Sequence, residues 1–177
     1  MIDIVIFIKD INDIDKTLIS ICMQEIKDKI NVIIINSGLN NNLYNKLNIF
    51  KEELNIKVVS NDNDLDILSG KYIMFIDSGN IFYNAFSVQY LYYTILENNA
   101  DLICGMVHEK RRNKTIITNG NENYLYGKIY NKDFLNKHNI KVDYTSLNNN
   151  SYFNKLVLSY NPKMYYIEED ICILENI

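Results

Sequence analysis

The chain has 177 residues, 47% of them hydrophobic, and a formal net charge of −4. This length predicts a single domain with a sizeable buried core. An acidic balance is untypical of proteins that bind nucleic acid, which carry a basic patch, so we expect no nucleic-acid partner.

No stretch is long and apolar enough to cross a bilayer. The apolar start at residues 1–8 has neither a basic leader nor a small-residue cleavage site, so it predicts a first strand and not a signal peptide. Three scattered cysteines, Cys22, Cys104 and Cys172, lack the spacing of metal ligands and predict buried free thiols in a reducing compartment.

Apolar runs alternate with amphipathic stretches over the first 107 residues. The expected strands are 2–8, 32–35, 56–59, 72–76 and 101–107, and the expected helices are 16–27, 43–54 and 86–98. Asp15 is a candidate cap for the first helix. The alternation predicts an α/β fold with a mostly parallel central sheet covered by helices on both faces.

The C-terminal half is predicted to be richer in strands. Strands are expected at 114–117, 122–130, 164–167 and 171–174, with short helices at 132–138 and 151–159. The first two of these strands are candidates for a hairpin that turns at Asn119-Gly120. The basic run at 110–112 is interpreted as a solvated loop, with a phosphate clamp as the alternative.

Residues 70–80, GKYIMFIDSGN, form an apolar run that ends in a small acidic turn. The run predicts a buried strand that brings Asp77 to the carboxyl edge of the sheet, where ligands bind in open α/β proteins. It resembles the strand before the metal-binding Asp-x-Asp motif of family 2 glycosyltransferases, written G-x-Y-I-x-F-L-D-S-D-D.

Further segments resemble the same family in the same order along the chain. They are LISICMQ at 18–24, NVIII at 31–35, ADLICG at 100–105 and YGKIYNKDFL at 126–135. The resemblance implies one glycosyltransferase-like GT-A domain over 1–177. Its nucleotide-binding-type half would cover about 1–107 and its acceptor-side half about 108–177.

The resemblance assigns nucleotide-sugar binding to Asn36 and Asp77, and metal binding to Asp77 and Asn80. The family's Asp-Asp-Gly-Ser after the second strand is NSGL here, so Asn36 is either a base-binding amide or a plain turn residue. Gly79 and Asn80 replace the later acids of Asp-x-Asp. Because Mn²⁺ or Mg²⁺ at a diphosphate needs carboxylate ligands, we expect weak metal binding, and a structural turn role for Asp77 is the alternative.

Residues 60–70 also depart from the family pattern. They are too short for its N-x-G-x-x-x-A-R-N-x-G helix and contain no arginine, so a basic partner for a diphosphate is missing there. Their acids resemble the start of a calcium loop without its distal glutamate.

The general base of inverting members lies in a Glu-Asp pair shortly before a phenylalanine on a late helix. The matching phenylalanine is Phe153, and the matching positions are Asn149 and Asn150. An amide has no basic lone pair near neutral pH, so no catalytic residue is assigned.

Core segments match the family while its ligand positions do not. The leading interpretation is a glycosyltransferase-like domain with impaired or lost catalysis. It would act with a protein partner as a binding or structural component of a larger assembly, in the cytoplasm or in a phage or other viral particle. The alternative is an active small family 2-type enzyme with a non-standard site for a nucleotide-sugar donor, which would use Mn²⁺ or Mg²⁺ or work without a metal.

A third class is a carbohydrate-binding module, since aromatic rings stack on sugars and the chain has 14 tyrosines. Tyr90, Tyr92 and Tyr93 fall on an expected helix, however, where contact with the core or a partner is commoner.

Overall fold

The computed structural model describes residues 1–35, 41–59, 67–112, 114–119, 125–141 and 150–175. In the first 77 residues, strands alternate with helices as the sequence predicts. The elements are β1 (Ile2–Phe7), α1 (Ile14–Cys22), β2 (Ile30–Ile35), α2 (Asn41–Phe50), β3 (Asn55–Val59) and β4 (Tyr72–Asp77).

The remaining elements are richer in strands. They are β5 (Ile81–Phe82), α3 (Ser87–Glu97), β6 (Leu102–Arg111), β7 (Lys114–Asn119), β8 (Lys128–Asn131), α4 (Lys132–Lys137), α5 (Asn150–Ser159) and β9 (Met164–Leu174).

The described strands form one sheet in the order β3-β2-β1-β4-β8-β6-β9-β5, with β7 paired to β6. Strands β1 to β4 pair in parallel, and β8 joins the two halves by antiparallel pairing with both β4 and β6. Every residue of β1 and β2 is buried, as expected for parallel strands covered on both faces. The predicted α/β fold is confirmed, with a central sheet that is parallel over β1 to β4 and mixed over the other strands.

Several element boundaries differ from the prediction. Helix α1 begins at Ile14, and a 3₁₀ turn over Ile11–Asp13 precedes it. Asp10 caps that turn by accepting the Asn12 N–H at 2.8 Å. Asp15 lies inside α1, whose N-cap residue is Asp13, so the predicted capping role of Asp15 is wrong. Asp15 instead pairs with Lys46.

The predicted hairpin turn at Asn119-Gly120 falls partly outside the described residues, because 120–124 are not described. Strand β7 pairs antiparallel with the preceding β6, so the chain reverses between Arg111 and Lys114. The two last predicted strands are one strand, β9, which runs parallel to β6 across a register shift. Strand β5, only two residues long, was not predicted and pairs with β9.

A buried polar network crosses the first three strands. Asp3, 0% exposed, accepts hydrogen bonds from Asn31 Nδ2 at 2.8 Å and from the Gly70 N–H at 2.7 Å. Asn55 Nδ2 donates in turn to Asn31 Oδ1 at 2.8 Å. A Cβ on Gly70 would lie 2.7 Å from Asp3 Oδ1, so the close approach of this segment requires glycine.

The cysteines and tyrosines can be placed as well. Cys104 and Cys172 are buried free thiols, as predicted, and Cys22 is half-buried. On α3, Tyr92 packs edge-on against Tyr72, while Tyr90 and Tyr93 are exposed. Within the described residues, no helix is long and apolar enough to span a membrane.

Candidate functional site

Three parallel strands end together at one edge of the sheet. Phe7 of β1 is in register with both Ile35 of β2 and Asp77 of β4. The carboxyl ends of these strands therefore lie together at the edge where ligands bind in open α/β sheets. Asn36 follows Ile35 directly but lies outside the described residues, so its binding role stays a prediction.

Asp77 lies at this edge with its side chain half-buried. The Tyr126 hydroxyl donates a hydrogen bond to Asp77 Oδ2 across 2.5 Å. Burial raises the pKa of the Asp77 carboxyl, because a desolvated carboxylate is disfavoured. The Tyr126 hydrogen bond and the positive charge of Lys9 oppose that rise by stabilising the ionised form. Asp77 is thus a carboxylate that already has a donor within the protein.

Ser78, the next residue, fastens the turn to the segment after β1. Its hydroxyl oxygen accepts the backbone N–H groups of Lys9 at 2.9 Å and Asp10 at 3.2 Å. Its own N–H donates to the Phe7 carbonyl at 2.8 Å. Ser78 is 5% exposed, and its hydroxyl oxygen and backbone N–H form hydrogen bonds within the protein.

Gly79 and Asn80 complete the turn in the same way. The Gly79 N–H donates to Thr17 Oγ1 at 2.9 Å, and the Thr17 hydroxyl donates to the Asn80 carbonyl at 2.7 Å. Gly79 has a φ of 94°, which a residue with a side chain rarely adopts. Asn80 Oδ1 accepts the Glu175 N–H at 3.1 Å, and Asn80 is 7% exposed. The Asn80 side chain therefore links this turn to the end of β9.

These contacts bear on whether the turn fits a divalent cation. Such a cation needs several oxygen ligands, usually including one or two carboxylates. The turn offers the Asp77 carboxylate, no side chain at Gly79, and an Asn80 oxygen that already accepts a hydrogen bond. Among the residues that the structure describes, no group of three or more His, Cys, Asp or Glu side chains could hold a metal ion. The described turn does not supply a complete metal site, and weak binding by Asp77 and Asn80 stays a prediction.

The base positions of the resemblance lie at the start of α5. Phe153 is fully buried and packs edge-on against Phe75 and Tyr130, with ring centroids 5.7 and 5.6 Å apart. One residue on, Asn154 Oδ1 accepts the Tyr130 hydroxyl at 2.6 Å.

Phe75, which Phe153 contacts, lies two residues before the end of β4. Asn154 and Leu158 of α5 line a small cavity together with Leu102 and Cys104 of β6. Asn149 falls outside the described residues, and Asn150 is the first residue of α5.

Sequence reasoning missed three side chains of this edge: Tyr126, Thr17 and Lys9. In the sequence Tyr126 stands in a segment that resembles the family, and nothing local indicates that its hydroxyl meets a carboxylate 49 positions away. Gly127 beside it has a φ of 68°, so the chain turns sharply there. The only local signal for this contact is a tyrosine beside a glycine just before a strand, which indicates a turn that can direct the tyrosine side chain.

No family model and no curated protein matches the sequence. Solved structures do match. A crystal structure of Staphylococcus aureus TarS 1-349 in complex with UDP is similar with a TM-score of 0.80 and 12% identity, over 99% of this chain and 60% of that one. The crystal structure of TarS 1-349 in complex with UDP-GlcNAc is similar with a TM-score of 0.77 and 13% identity, over 100% of this chain and 59% of that one.

The mannosyltransferase PcManGT from Pyrobaculum calidifontis, in complex with GDP-Man and Mn²⁺, is similar with a TM-score of 0.72 and 9% identity, over 97% of this chain and 56% of that one. At such identities the likeness shows the fold alone, which is a GT-A glycosyltransferase-like fold. The chain spans about 60% of the length of the TarS chains it matches.

Proposed function

We propose that this chain is a glycosyltransferase-like domain without efficient sugar transfer, and that it acts with a protein partner as a binding or structural component of a larger assembly. A phage or other viral particle is one setting for such an assembly, and the cytoplasm is the other location we propose. In this proposal residues 1–177 are one domain, with a nucleotide-binding-type half at about 1–107 and an acceptor-side half at about 108–177. The observation that carries it is the turn after β4, whose polar groups are bonded within the protein.

The first argument concerns the donor. In a metal-dependent transferase, carboxylates at this turn would hold a cation against the diphosphate of a nucleotide sugar. Here Asp77 accepts the Tyr126 hydroxyl, and Asn80 Oδ1 accepts the Glu175 N–H. A cation would share the Asp77 carboxylate with the Tyr126 hydroxyl and compete with the Glu175 N–H for the Asn80 oxygen, so weak binding is the expected result.

The second argument concerns the base. An inverting transfer needs a group that removes a proton from the acceptor hydroxyl. The positions matched to that group are Asn149 and Asn150, whose amides cannot accept a proton near pH 7. Loss of a general base lowers a rate by about two to four orders of magnitude.

The direct test is titration calorimetry of the purified chain with UDP-GlcNAc and GDP-Man, with and without Mn²⁺. We expect no dissociation constant below about 1 mM, which corresponds to roughly −4 kcal/mol. The control variant is Asp101→Ala, which removes a carboxylate just before β6. A low-micromolar dissociation constant, with binding lost in Asp77→Ala and unchanged in Asp101→Ala, would overturn the proposal.

A second candidate is an active small transferase with a metal-free donor site. Lys9 favours it, because its positive charge acts at the carboxyl edge of the sheet, where Asp77 lies. Asn36 would then contact the nucleotide. This candidate predicts transfer of a labelled sugar by the purified chain that disappears with Asp77→Asn, whereas the leading proposal predicts no transfer from either protein.

A further inference from the structure

The β6–β7 hairpin ends in a group of cationic side chains outside the edge described above. An open cavity of about 390 Å³ at its tip is lined by Lys110, Arg111, Arg112, Lys114 and Thr115. We propose that this hairpin tip binds phosphate groups of an anionic ligand. The proposal stands on its own contacts and does not depend on whether the Asp77 edge binds a nucleotide sugar.

Two of the cations are held in fixed positions by carboxylates. Glu109, 1% exposed, accepts hydrogen bonds from Nε and Nη2 of Arg111 at 3.0 and 2.7 Å. Glu175 Oε1 accepts from Lys110 Nζ at 2.6 Å. A buried acid that orients a guanidinium reduces the entropy that the arginine loses when it binds a second anion.

The other two cations have no such compensation. In the part of the chain that the structure describes, neither Arg112 nor Lys114 has an acidic partner, and both are exposed. Among the described residues, the four cations that line the tip and the two carboxylates bonded to them sum to a charge of +2. This charge stands on a chain whose net charge is −4, so an anion approaching the protein is attracted to this hairpin.

The backbone at Arg112 gives an independent reason to connect this residue with binding. Its φ is 26°, in the left-handed region. The other non-glycine residues with positive φ in the described ranges are all asparagines: Asn99, Asn139 and Asn161. Asparagine adopts this conformation readily and arginine does not. The turn therefore contains an arginine in a backbone conformation that arginine disfavours. A role of its guanidinium group in binding is a reason for arginine to occupy this position.

The hairpin projects from the same edge as Asp77. Strand β8 pairs antiparallel with both β4 and β6, so β4 and β6 run in the same direction. Ile73 and Leu102 both face Tyr130, and from that level β6 continues to Arg111 while β4 ends at Asp77. The hairpin tip thus extends beyond Asp77 by about five residues, or roughly 15 Å along the strand direction. It is a separate site.

Phosphate is the anion that fits this set of groups. Guanidinium groups offer paired donors that match two phosphate oxygens, and lysine adds a point charge. The Thr115 hydroxyl on the cavity wall is a further donor. An open cavity suits a phosphate carried by a longer chain as well as a free diphosphate.

The test is titration calorimetry of the full chain with two probes, pyrophosphate and linear polyphosphate, at low and high salt. We expect binding that the doubly substituted Arg112→Gln, Lys114→Gln variant weakens about tenfold or more, since two charge-assisted contacts are lost. Raising the salt should also weaken binding. Equal molar affinities would indicate a free diphosphate ligand, and tighter polyphosphate binding would indicate a phosphate chain; both support the site.

The matched control is the Lys57→Gln, Lys155→Gln variant, which removes the same charge from two exposed lysines elsewhere. Its affinity should stay within about twofold of the wild type, because these sites contribute only screened attraction. Failure of the wild type to bind either probe, or an equal loss in both variants, would overturn the proposal. The Arg112→Asn variant should bind the probes more weakly, because it lacks the guanidinium. It should melt at a higher temperature, because asparagine adopts a positive φ more readily than arginine. Unchanged binding in this variant would contradict the role of the guanidinium.

Discussion

The Tyr126 hydroxyl donates to Asp77 Oδ2 across 2.5 Å. The bond joins the end of β4 to the segment just before β8. Any ligand that uses the Asp77 carboxylate has to share it with this phenol. Because this hydrogen bond lowers the pKa of Asp77, the protonation of Asp77 reports whether the bond is formed.

Replacing Tyr126 by phenylalanine should raise the pKa of Asp77 further. Burial already raises it, and the variant loses the hydrogen bond that favours the ionised form. The carbon-13 shift of the Asp77 carboxyl, followed against pH, measures the change. At neutral pH the variant should lose about 1.5–3 kcal/mol of stability, the range for hydrogen bonds to charged groups.

Tyr44→Phe provides the control, because Tyr44 is 38% exposed. It should change the unfolding free energy by no more than about 0.5 kcal/mol. Equal losses in the two variants would mean that the bond to Asp77 contributes nothing specific.

Replacing Asp77 by asparagine should change how stability depends on pH. Since the pKa of Asp77 is raised in the folded state, the folded protein binds more protons than the unfolded chain above the ordinary value of 3.8. The contribution of this group to stability is complete below that value and is lost as pH rises through the folded pKa. The variant should lack this decline and be at least as stable as the wild type at pH 7. Urea unfolding at several pH values tests this, and a destabilised variant at pH 7 would contradict it.

Asn31→Ala should be strongly destabilising. Asn31 is 5% exposed and donates to the fully buried Asp3 at 2.8 Å. Its removal leaves a buried carboxylate with one donor fewer, at a cost of about 2–3 kcal/mol or more. Asn55→Ala, which removes an exposed member of the same network, should cost less than about 1 kcal/mol. Chemical denaturation of both variants gives the comparison.

Lys128 should titrate far below an ordinary lysine. It is 3% exposed, and burial lowers its pKa to about 8. Below that pKa the charged amine carries a desolvation penalty in the folded protein, so its contribution to stability improves as pH rises from about 8 toward the ordinary value of 10.5.

Burial raises the pKa of Cys104 to about 11 and of Cys172 to about 12, and these thiols act in the opposite direction above the ordinary value of 9.0. The Lys128 contribution is therefore best isolated by a carbon-13 titration of its Cε. A midpoint near 10.5 would show that the amine is solvated.

The sequence predicts the parallel half of the fold because burial on both faces leaves a strong pattern. Strands β1, β2 and β4 are almost uninterrupted apolar runs, and Ile4, Ile34, Val58, Phe75 and Ile103 all lie in one sheet as expected. The position of Asp77 follows from the same pattern, since it is the first polar residue after such a run.

The contacts of the edge could not be predicted, because they join distant parts of the chain. Tyr126 meets Asp77 from 49 positions away, and Glu175 meets Asn80 from 95. The pairing of β7 with β6, through a reversal between Arg111 and Lys114, was not predicted either. The roles assigned to Asn36, Asn149 and Asn150 stay predictions.

The position of β8 between β4 and β6 has a consequence for how the chain reaches its folded state. Strands β1 to β4 find their partners among themselves, but β4 gains its second neighbour only after another fifty or so residues have been synthesised. Until then an almost entirely apolar strand presents an open row of backbone donors and acceptors, the kind of edge that pairs with other chains. Pairing of β9 with β5 comes later still, and such long-range closure is slow. We therefore expect slow refolding from denaturant, with recovery that falls as protein concentration rises.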